Sequence, residues 1–183
     1  MSRGIASRYQ GALVALHWIL ALMIIALLCV GFFVLANMPN ADPAKIKILV
    51  LHMAGGMFVL VLMTARLIIR LVSAHPAPAS IGSDPLDRLA ILAHRGLYLI
   101  VFLMIATGWT TGFLIRGAFQ PHAGLPKTFA VYPTFQAHAA LACLLVILIA
   151  AHVGAALYHQ FVVKDGLLAR MWFGKRTIIR AEG

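Results

Sequence analysis

Three histidines interrupt a long apolar stretch near the end of the chain. The segment QAHAALACLLVILIAAHVGAALYHQF contains His138, His152 and His159, spaced fourteen and then seven residues apart. A helix turns about 100° per residue, so these spacings return the direction to within about 40° and about 20°. The three imidazoles therefore share one face of a predicted helix. Imidazole is a common metal ligand, and two imidazoles can hold a haem iron from opposite sides.

The elements that position these histidines are predicted to be membrane helices. The chain has 183 residues, of which 62% are hydrophobic and 11% charged, and a soluble domain of this size could not bury so much apolar surface. A membrane helix needs about 20 apolar residues, and four stretches meet that length. We predict an all-α, transmembrane four-helix bundle, up-down-up-down, forming a single domain over residues 1–183. The four helices are expected at residues 12–36, 48–72, 89–115 and 134–163.

The positive charge is distributed unequally over the predicted loops. The net charge is +10, which by itself would suggest nucleic acid, but eleven of the fifteen Lys and Arg residues lie at the two termini and around the loop after the second helix. The positive-inside rule places that side in the cytoplasm. We therefore predict a multi-pass membrane protein with both termini cytoplasmic, bound to lipid and not to nucleic acid.

Two further histidines match the depths of those on the fourth helix. His17 lies in the inner half of the first helix, and His52 lies in the outer half of the second. His138 and His152 are about 21 Å apart along their helix at 1.5 Å per residue. The predicted topology then pairs His17 with His152 on the inner side and His52 with His138 on the outer side.

Intramembrane histidines can have other roles than haem ligation. A single histidine in a helix is usually a hydrogen-bonded core residue, but polar groups in a bilayer are costly and tend to be functional. A metal transporter would be expected to place carboxylates near the imidazoles, and none of the five Asp and Glu residues lies in a predicted span. Four histidines at two matched depths favour two b-type haems, each held by one pair.

The motifs resemble those of bacterial cytochrome b561, the small four-helix dihaem type. They are ALHWIL at His17, LHMAGGMFVLVLMTARLIIRL from Leu51, LAHRGLYLI at His94, GWTTG from Gly108 and AHVGAALYHQFVVKDGLLARMW from Ala151. The resemblance covers about residues 9–172. It implies the same two haem-ligand pairs that the depths of the histidines predict. Within the family, the chain is similar to a superoxide:ubiquinone oxidoreductase.

The resemblance also implies which residues handle the electron acceptor. It implicates His159, with Lys164 and Asp165, in ubiquinone handling near the inner surface, and His94 is a further candidate for proton relay. Arg66 and Arg70 are candidates to neutralise the propionates of the inner haem.

The outer loops are expected to form a cationic rim that attracts superoxide, because a cluster of positive charge raises the encounter rate of a small anion. Its candidate residues are Lys45, Lys47, Arg116 and Lys127, with His122 beside them. The alternative is an electron-transfer relay or subunit that passes electrons between the quinone pool and a periplasmic redox protein docked on these loops. Cys29 and Cys143 are expected to be small core residues without a disulfide.

Overall fold

The computed structural model describes residues 5–77, 80, 82–120 and 123–179. Four long helices account for most of them, which confirms the all-α class, and each is long and apolar enough to cross a membrane. Two of the helices end in π-helical segments. The bounds are α1 Gly11–Cys29 with the π segment Val30–Leu35, α2 Pro43–Val72, α3 Asp84–Leu114, and α4 Pro133–Tyr158 with the π segment His159–Val163.

Four short elements accompany the long helices in the described residues. A 3-10 turn covers Arg116–Phe119, and helix α5 covers Leu167–Arg170. Strands β1, Ile5–Ala6, and β2, Ile178–Ile179, form a two-residue antiparallel ladder. This ladder was not predicted, because two-residue strands have no periodicity to detect.

Helices α2 and α3 each begin five residues earlier than predicted. At the start of α2, a carboxylate oxygen of Asp42 accepts a hydrogen bond of 2.8 Å from the N–H of Ala44, and Pro43 occupies the first helical position. Proline is well suited to that position because its missing N–H is not needed there. The first turn of α3 carries Asp84 and Asp87, whose charge favours a helix N-terminus. The predicted starts were taken from hydropathy, which missed the first residues of α2 and α3 because these residues are polar.

The chain divides into two compact units. The terminal unit contains residues 1–20, 62–97 and 147–183, and the central unit contains residues 21–61 and 98–146. The up-down-up-down orientation, the cytoplasmic termini and the single domain over residues 1–183 stay predictions.

In the terminal unit, the end of the chain folds back over its beginning. The Arg8 guanidinium donates to the carbonyl of Ala169 at 2.7 Å, and the indole N–H of Trp18 donates to the carbonyl of Met171 at 3.0 Å. Arg176 donates to the carbonyl of Arg8 at 3.0 Å. Together with the β1–β2 ladder, these bonds tie residues 169–179 to the first two turns of α1 and the residues before it.

In the central unit, small residues allow close packing. A Cβ added to Gly55 would lie 2.8 Å from Cδ2 of Leu27, and one added to Gly112 would collide with the end of Met53. Thr111, which is buried, donates to the hydroxyl of Thr134 at 2.8 Å. Close contacts at small residues and side-chain hydrogen bonds between helices are typical of membrane interiors.

Many large apolar side chains on the four spans face outward. Leu22, Phe33 and Leu51 are exposed to 70%, 74% and 70%, which suits helices whose solvent is lipid. Cys29 and Cys143 are also exposed and unbridged. The prediction that both are core residues was wrong, because in a bilayer a small apolar side chain is equally stable facing lipid.

Candidate functional site

The 17/152 site lies in the terminal unit. His17, on α1, and His152, on α4, face each other with ring centroids 6.2 Å apart and planes at 69°. Both side chains are half-buried. The structure thus brings together the pair that the predicted depths placed on the inner side.

The 52/138 site lies in the central unit. His52, on α2, and His138, on α4, have ring centroids 6.3 Å apart and planes at 79°. Nδ1 of His138 is 2.9 Å from the carbonyl oxygen of Met104, which can only accept, so Nδ1 carries the hydrogen and Nε2 keeps a lone pair. A Cβ on Gly108 would lie 3.0 Å from Cε1 of His138, so the glycine allows the ring to approach α3.

Both separations match a metal held axially by two imidazoles. With metal–nitrogen bonds of about 2.0 Å and ring nitrogens about 1.15 Å from the ring centre, two opposed imidazoles have centroids about 6.3 Å apart. Within the described residues, no group of three or more His, Cys, Asp or Glu could hold a metal ion. Each pair supplies two nitrogen ligands, so it suits an iron whose other ligands belong to a macrocycle.

A second observation at the 52/138 site supports the same fit. Nδ1 of His52 is buried and has no hydrogen-bond partner among the described residues. Buried polar atoms are nearly always paired, and an exception commonly marks a functional group or an unseen ion. The donor set and the orientation of His138 fit a bis-imidazole haem.

Arg66 lies beside the 17/152 site. Its Nη2 is 3.5 Å from Nδ1 of His17, and because a guanidinium only donates, this contact requires Nδ1 to accept. The sequence predicted a haem-propionate role for Arg66 and did not place it against the ring. Arg70 lies one turn further along α2 and is half-buried, and its predicted role in propionate binding stays a prediction.

His94 lies against His152 in the structure. The two ring centroids are 5.2 Å apart with the planes at 89°, and Nδ1 of His94 is 2.7 Å from the carbonyl oxygen of Ala90. The sequence considered His94 only as a proton relay. His94 lies near the start of the predicted third helix, on the same side as His152 in the predicted topology, so its proximity to His152 was open to prediction but was not predicted.

An ion pair joins His159 and Asp165. Nδ1 of His159 is 2.7 Å from a carboxylate oxygen of Asp165, and the other oxygen accepts from the N–H of Leu167 at 3.0 Å. Desolvation raises the pKa of Asp165, but the two hydrogen bonds and the positive charges of His159 and Arg170 outweigh it and hold the pKa below its usual value. The intervening Lys164 adopts a left-handed conformation, φ 58°, which turns the chain back onto His159.

The sequence predicted that Lys45 belongs to the exposed cationic rim, whereas the structure buries it. It is only 5% exposed, and its Nζ donates to the carbonyl of Met38 and to the side-chain oxygen of Asn40, each at 2.7 Å. The Asn40 amide donates in turn to the carbonyl of Pro126 at 2.7 Å. Lys45 thus holds the loop that contains Met38 and Asn40, and Asn40 links this loop to the one that contains Pro126. This role depends on loop conformation and has no signal in the sequence.

The other candidate rim residues are exposed. Lys47 and Lys127 lie on the surface, and Arg116 stacks over the Phe113 ring with 4.3 Å between the guanidinium carbon and the ring centroid. His122 lies outside the described residues. The central unit therefore presents three exposed cations from the predicted rim.

Comparison with known proteins assigns the family. The family model for prokaryotic cytochrome b561 matches residues 8–174. The chain is 31% identical to the "Probable superoxide oxidase CybB" of Yersinia pestis over 180 residues. The match covers 92% of this chain and 98% of the relative.

Two other relatives are similar to the chain. The "Cytochrome b561 homolog 1" of Escherichia coli K12 is 28% identical over 178 residues, covering 90% of this chain and 97% of the relative. The "Cytochrome b562" of Cereibacter sphaeroides is 35% identical over 132 residues, covering 72% of each chain. The chain belongs to the prokaryotic cytochrome b561 family, whose members bind b-type haem and transfer electrons across the membrane.

Proposed function

We propose that the chain is a dihaem cytochrome of the inner membrane that oxidises superoxide on its outer side and reduces ubiquinone on its inner side. Two superoxide anions each give up one electron and leave as dioxygen. One ubiquinone takes up the two electrons and two protons. The 31% identity to a relative named as a probable superoxide oxidase supports this activity.

The main observation behind the proposal is that two imidazole pairs each have a ring separation that fits an iron bound by both rings. Their ring centroids are 6.2 Å and 6.3 Å apart. His17 and His152 would hold one haem, and His52 and His138 the other. When bound, each haem would supply an iron that gains and loses one electron at a time, and an iron held by both histidines of a pair would have no open position for oxygen.

The distribution of charge between the two units supports the proposed sides. The central unit, with the 52/138 site, contains four Lys and Arg residues, and the other eleven belong to the terminal unit. An excess of positive charge is typical of the cytoplasmic side. The 52/138 site would then be the outer one, where Lys47, Arg116 and Lys127 would attract superoxide.

At the inner side, the His159–Asp165 pair is suited to proton delivery to ubiquinone. The carboxylate accepts from Nδ1, so it fixes the tautomer and leaves Nε2 to exchange a proton with a bound substrate. A side chain positioned within hydrogen-bond reach can transfer a proton in this way.

Arg66 and Arg70 are proposed to pair with haem propionates. Ligation through Nε2 of His17 places the ring hydrogen on Nδ1, which then no longer accepts from Arg66. The guanidinium would turn from the ring to a carboxylate, with which it forms strong paired hydrogen bonds.

Haem content tests the ligand assignment. A pyridine haemochrome assay on the purified chain should give two b haems per chain. His17→Ala and His152→Ala should remove one haem, and His52→Ala and His138→Ala the other, identified by their separate reduction potentials. His75→Ala is the matched control and should retain both. A content of one haem, or loss of the same haem from His17→Ala and His138→Ala, would contradict the assignment.

Superoxide pulses test the activity. Haem reduction should be rapid, and added ubiquinone should reoxidise the haems. The rate should fall between 0.01 M and 0.1 M salt, as the Debye length shrinks from about 30 Å to about 10 Å. A Lys47→Gln, Arg116→Gln, Lys127→Gln variant should be slower and less salt-sensitive, and Lys175→Gln, in the terminal unit, is the control. A variant as fast as the unmodified protein would discard steering by this rim.

A relay to a protein partner is the second candidate. The exposed cations Lys47, Arg116 and Lys127 of the central unit support it, because a positive patch suits a negatively charged protein surface as well as a small anion. Haems that are reduced by quinol and reoxidised only by an added periplasmic redox protein would support the relay.

A further inference from the structure

The hydroxyl of Thr107, on α3, lies beside the ring of His138 and close to two backbone carbonyls. Its oxygen is 3.4 Å from Nδ1 of His138. It is also 2.8 Å from the carbonyl oxygen of Leu103 and 3.0 Å from that of Met104. Carbonyl oxygens can only accept, so these two share the one hydrogen of the hydroxyl. The side chain is therefore held with its oxygen next to the imidazole.

The contact between His138 and Thr107 has a defined direction. Nδ1 of His138 donates to the carbonyl oxygen of Met104 at 2.9 Å, so this nitrogen carries a hydrogen and has no lone pair to offer. A hydroxyl oxygen keeps two lone pairs after its own hydrogen is donated. At the 3.4 Å contact the hydroxyl can therefore only accept. The ring N–H then has two acceptors, of which the more distant hydroxyl is the weaker.

Thr110, three residues further along α3, provides a comparison. Its hydroxyl donates to the carbonyl of Ala106 at 2.9 Å, which is the same one-turn bond that Thr107 makes to Leu103. Such a bond is local to a helix. The contact of Thr107 with His138 instead joins α3 to α4 within the central unit.

We propose that Thr107 is a positioning residue for His138, with its hydroxyl as a second acceptor for the non-ligating N–H of the ring. The inference rests on the proposed ligation of a haem through Nε2 of His138. Acceptors of this kind fix the orientation of a ligating ring and raise its basicity. A more basic ligand gives the metal more electron density, so the Thr107 hydroxyl favours oxidised over reduced iron at the 52/138 site.

Redox titration of the haem-loaded protein tests this role, with the 52/138 haem identified as the one that His52→Ala removes. Thr107→Val replaces the hydroxyl with a methyl group of similar size. It should raise the reduction potential of the 52/138 haem and leave the 17/152 haem unchanged. Because the hydroxyl is the weaker acceptor, the preference for the oxidised state should fall by up to about tenfold, which corresponds to a rise of up to about 59 mV. Haem affinity at the 52/138 site should fall about 10-fold.

Three further variants complete the test. Thr107→Ser keeps the hydroxyl and should restore the potential of the unmodified protein. Thr107→Ala removes the hydroxyl without a branched side chain, so it should shift the potential as Thr107→Val does. Thr110→Val is the matched control, because it removes the same kind of one-turn bond from α3, and it should shift neither potential.

The ferric EPR signal of the 52/138 haem should change in Thr107→Val and return in Thr107→Ser, because the ring is less restricted without the hydroxyl. An unchanged or lowered potential in both Thr107→Val and Thr107→Ala would overturn the accepting role of the hydroxyl. An equal rise in Thr110→Val would overturn it as well. Retention of both haems by His138→Ala would instead overturn the proposed ligation.

Discussion

Replacing Lys45 or Lys47 with glutamine removes the same charge from the start of α2, yet we expect different results. Lys45 is 5% exposed and donates two hydrogen bonds of 2.7 Å, to Met38 and to Asn40. A hydrogen bond from a charged group contributes about 1.5–3 kcal/mol. Glutamine can replace one of the two bonds, so Lys45→Gln should cost about 2–3 kcal/mol.

The expected loss is large enough to measure. For a chain of this size, 1 kcal/mol corresponds to about 2–4 °C in melting temperature, so Lys45→Gln should melt about 5–10 °C lower. Lys47 is exposed, and surface substitutions usually change stability by less than about 0.5 kcal/mol. Thermal unfolding in one detergent, followed by circular dichroism, compares the two proteins directly.

The comparison also separates structural from steering roles. Lys47→Gln should slow haem reduction by superoxide at low salt without lowering the melting temperature. Equal melting temperatures for the two variants would refute the reasoning, because the Lys45 bonds would then contribute nothing to holding the loops.

Two further predictions follow from single contacts. Gly108→Ala should weaken haem binding at the 52/138 site about 10- to 100-fold, because its Cβ would lie 3.0 Å from the His138 ring and displace it. The control is Gly96→Ala on the same helix, where a Cβ meets nothing within 4 Å, and this variant should bind both haems normally. Equal haem content in the two variants would contradict the prediction. Because the pKa of Asp165 is lowered, its pair with His159 should stabilise the C-terminal segment above the ordinary carboxyl pKa of about 3.9 and lose that effect as pH falls through the lowered value. Limited proteolysis against pH checks this, and a pH-independent difference between Asp165→Asn and the unmodified protein would refute it.

The helices and the imidazole pairs were predictable because they depend on quantities that the sequence carries. Hydropathy over about 20 residues locates a span, and the constant rise of a helix converts residue spacing into depth. His17 and His152 meet for that reason, without any knowledge of loops. The same constancy fixes which histidines share a face of α4.

The surroundings of the site were less predictable, because they depend on side-chain direction and loop conformation. Lys45 looks like a solvent-facing charge in the sequence, and only the placement of Met38 and Asn40 buries it. The acceptor for His138 is a backbone carbonyl, that of Met104, which every residue possesses. His94 was the exception, since its depth was available from the sequence and its contact with His152 was overlooked.

The order in which the two units are completed follows from their position along the chain. The central unit ends at residue 146, whereas the terminal unit requires residues 147–183. During synthesis, all segments of the 52/138 site have therefore been made before His152 emerges from the ribosome. The β1–β2 ladder, which joins Ile5 to Ile179, closes only after residue 179 has been made. The 17/152 site would therefore be completed after the 52/138 site, and cofactor insertion there would be the later step.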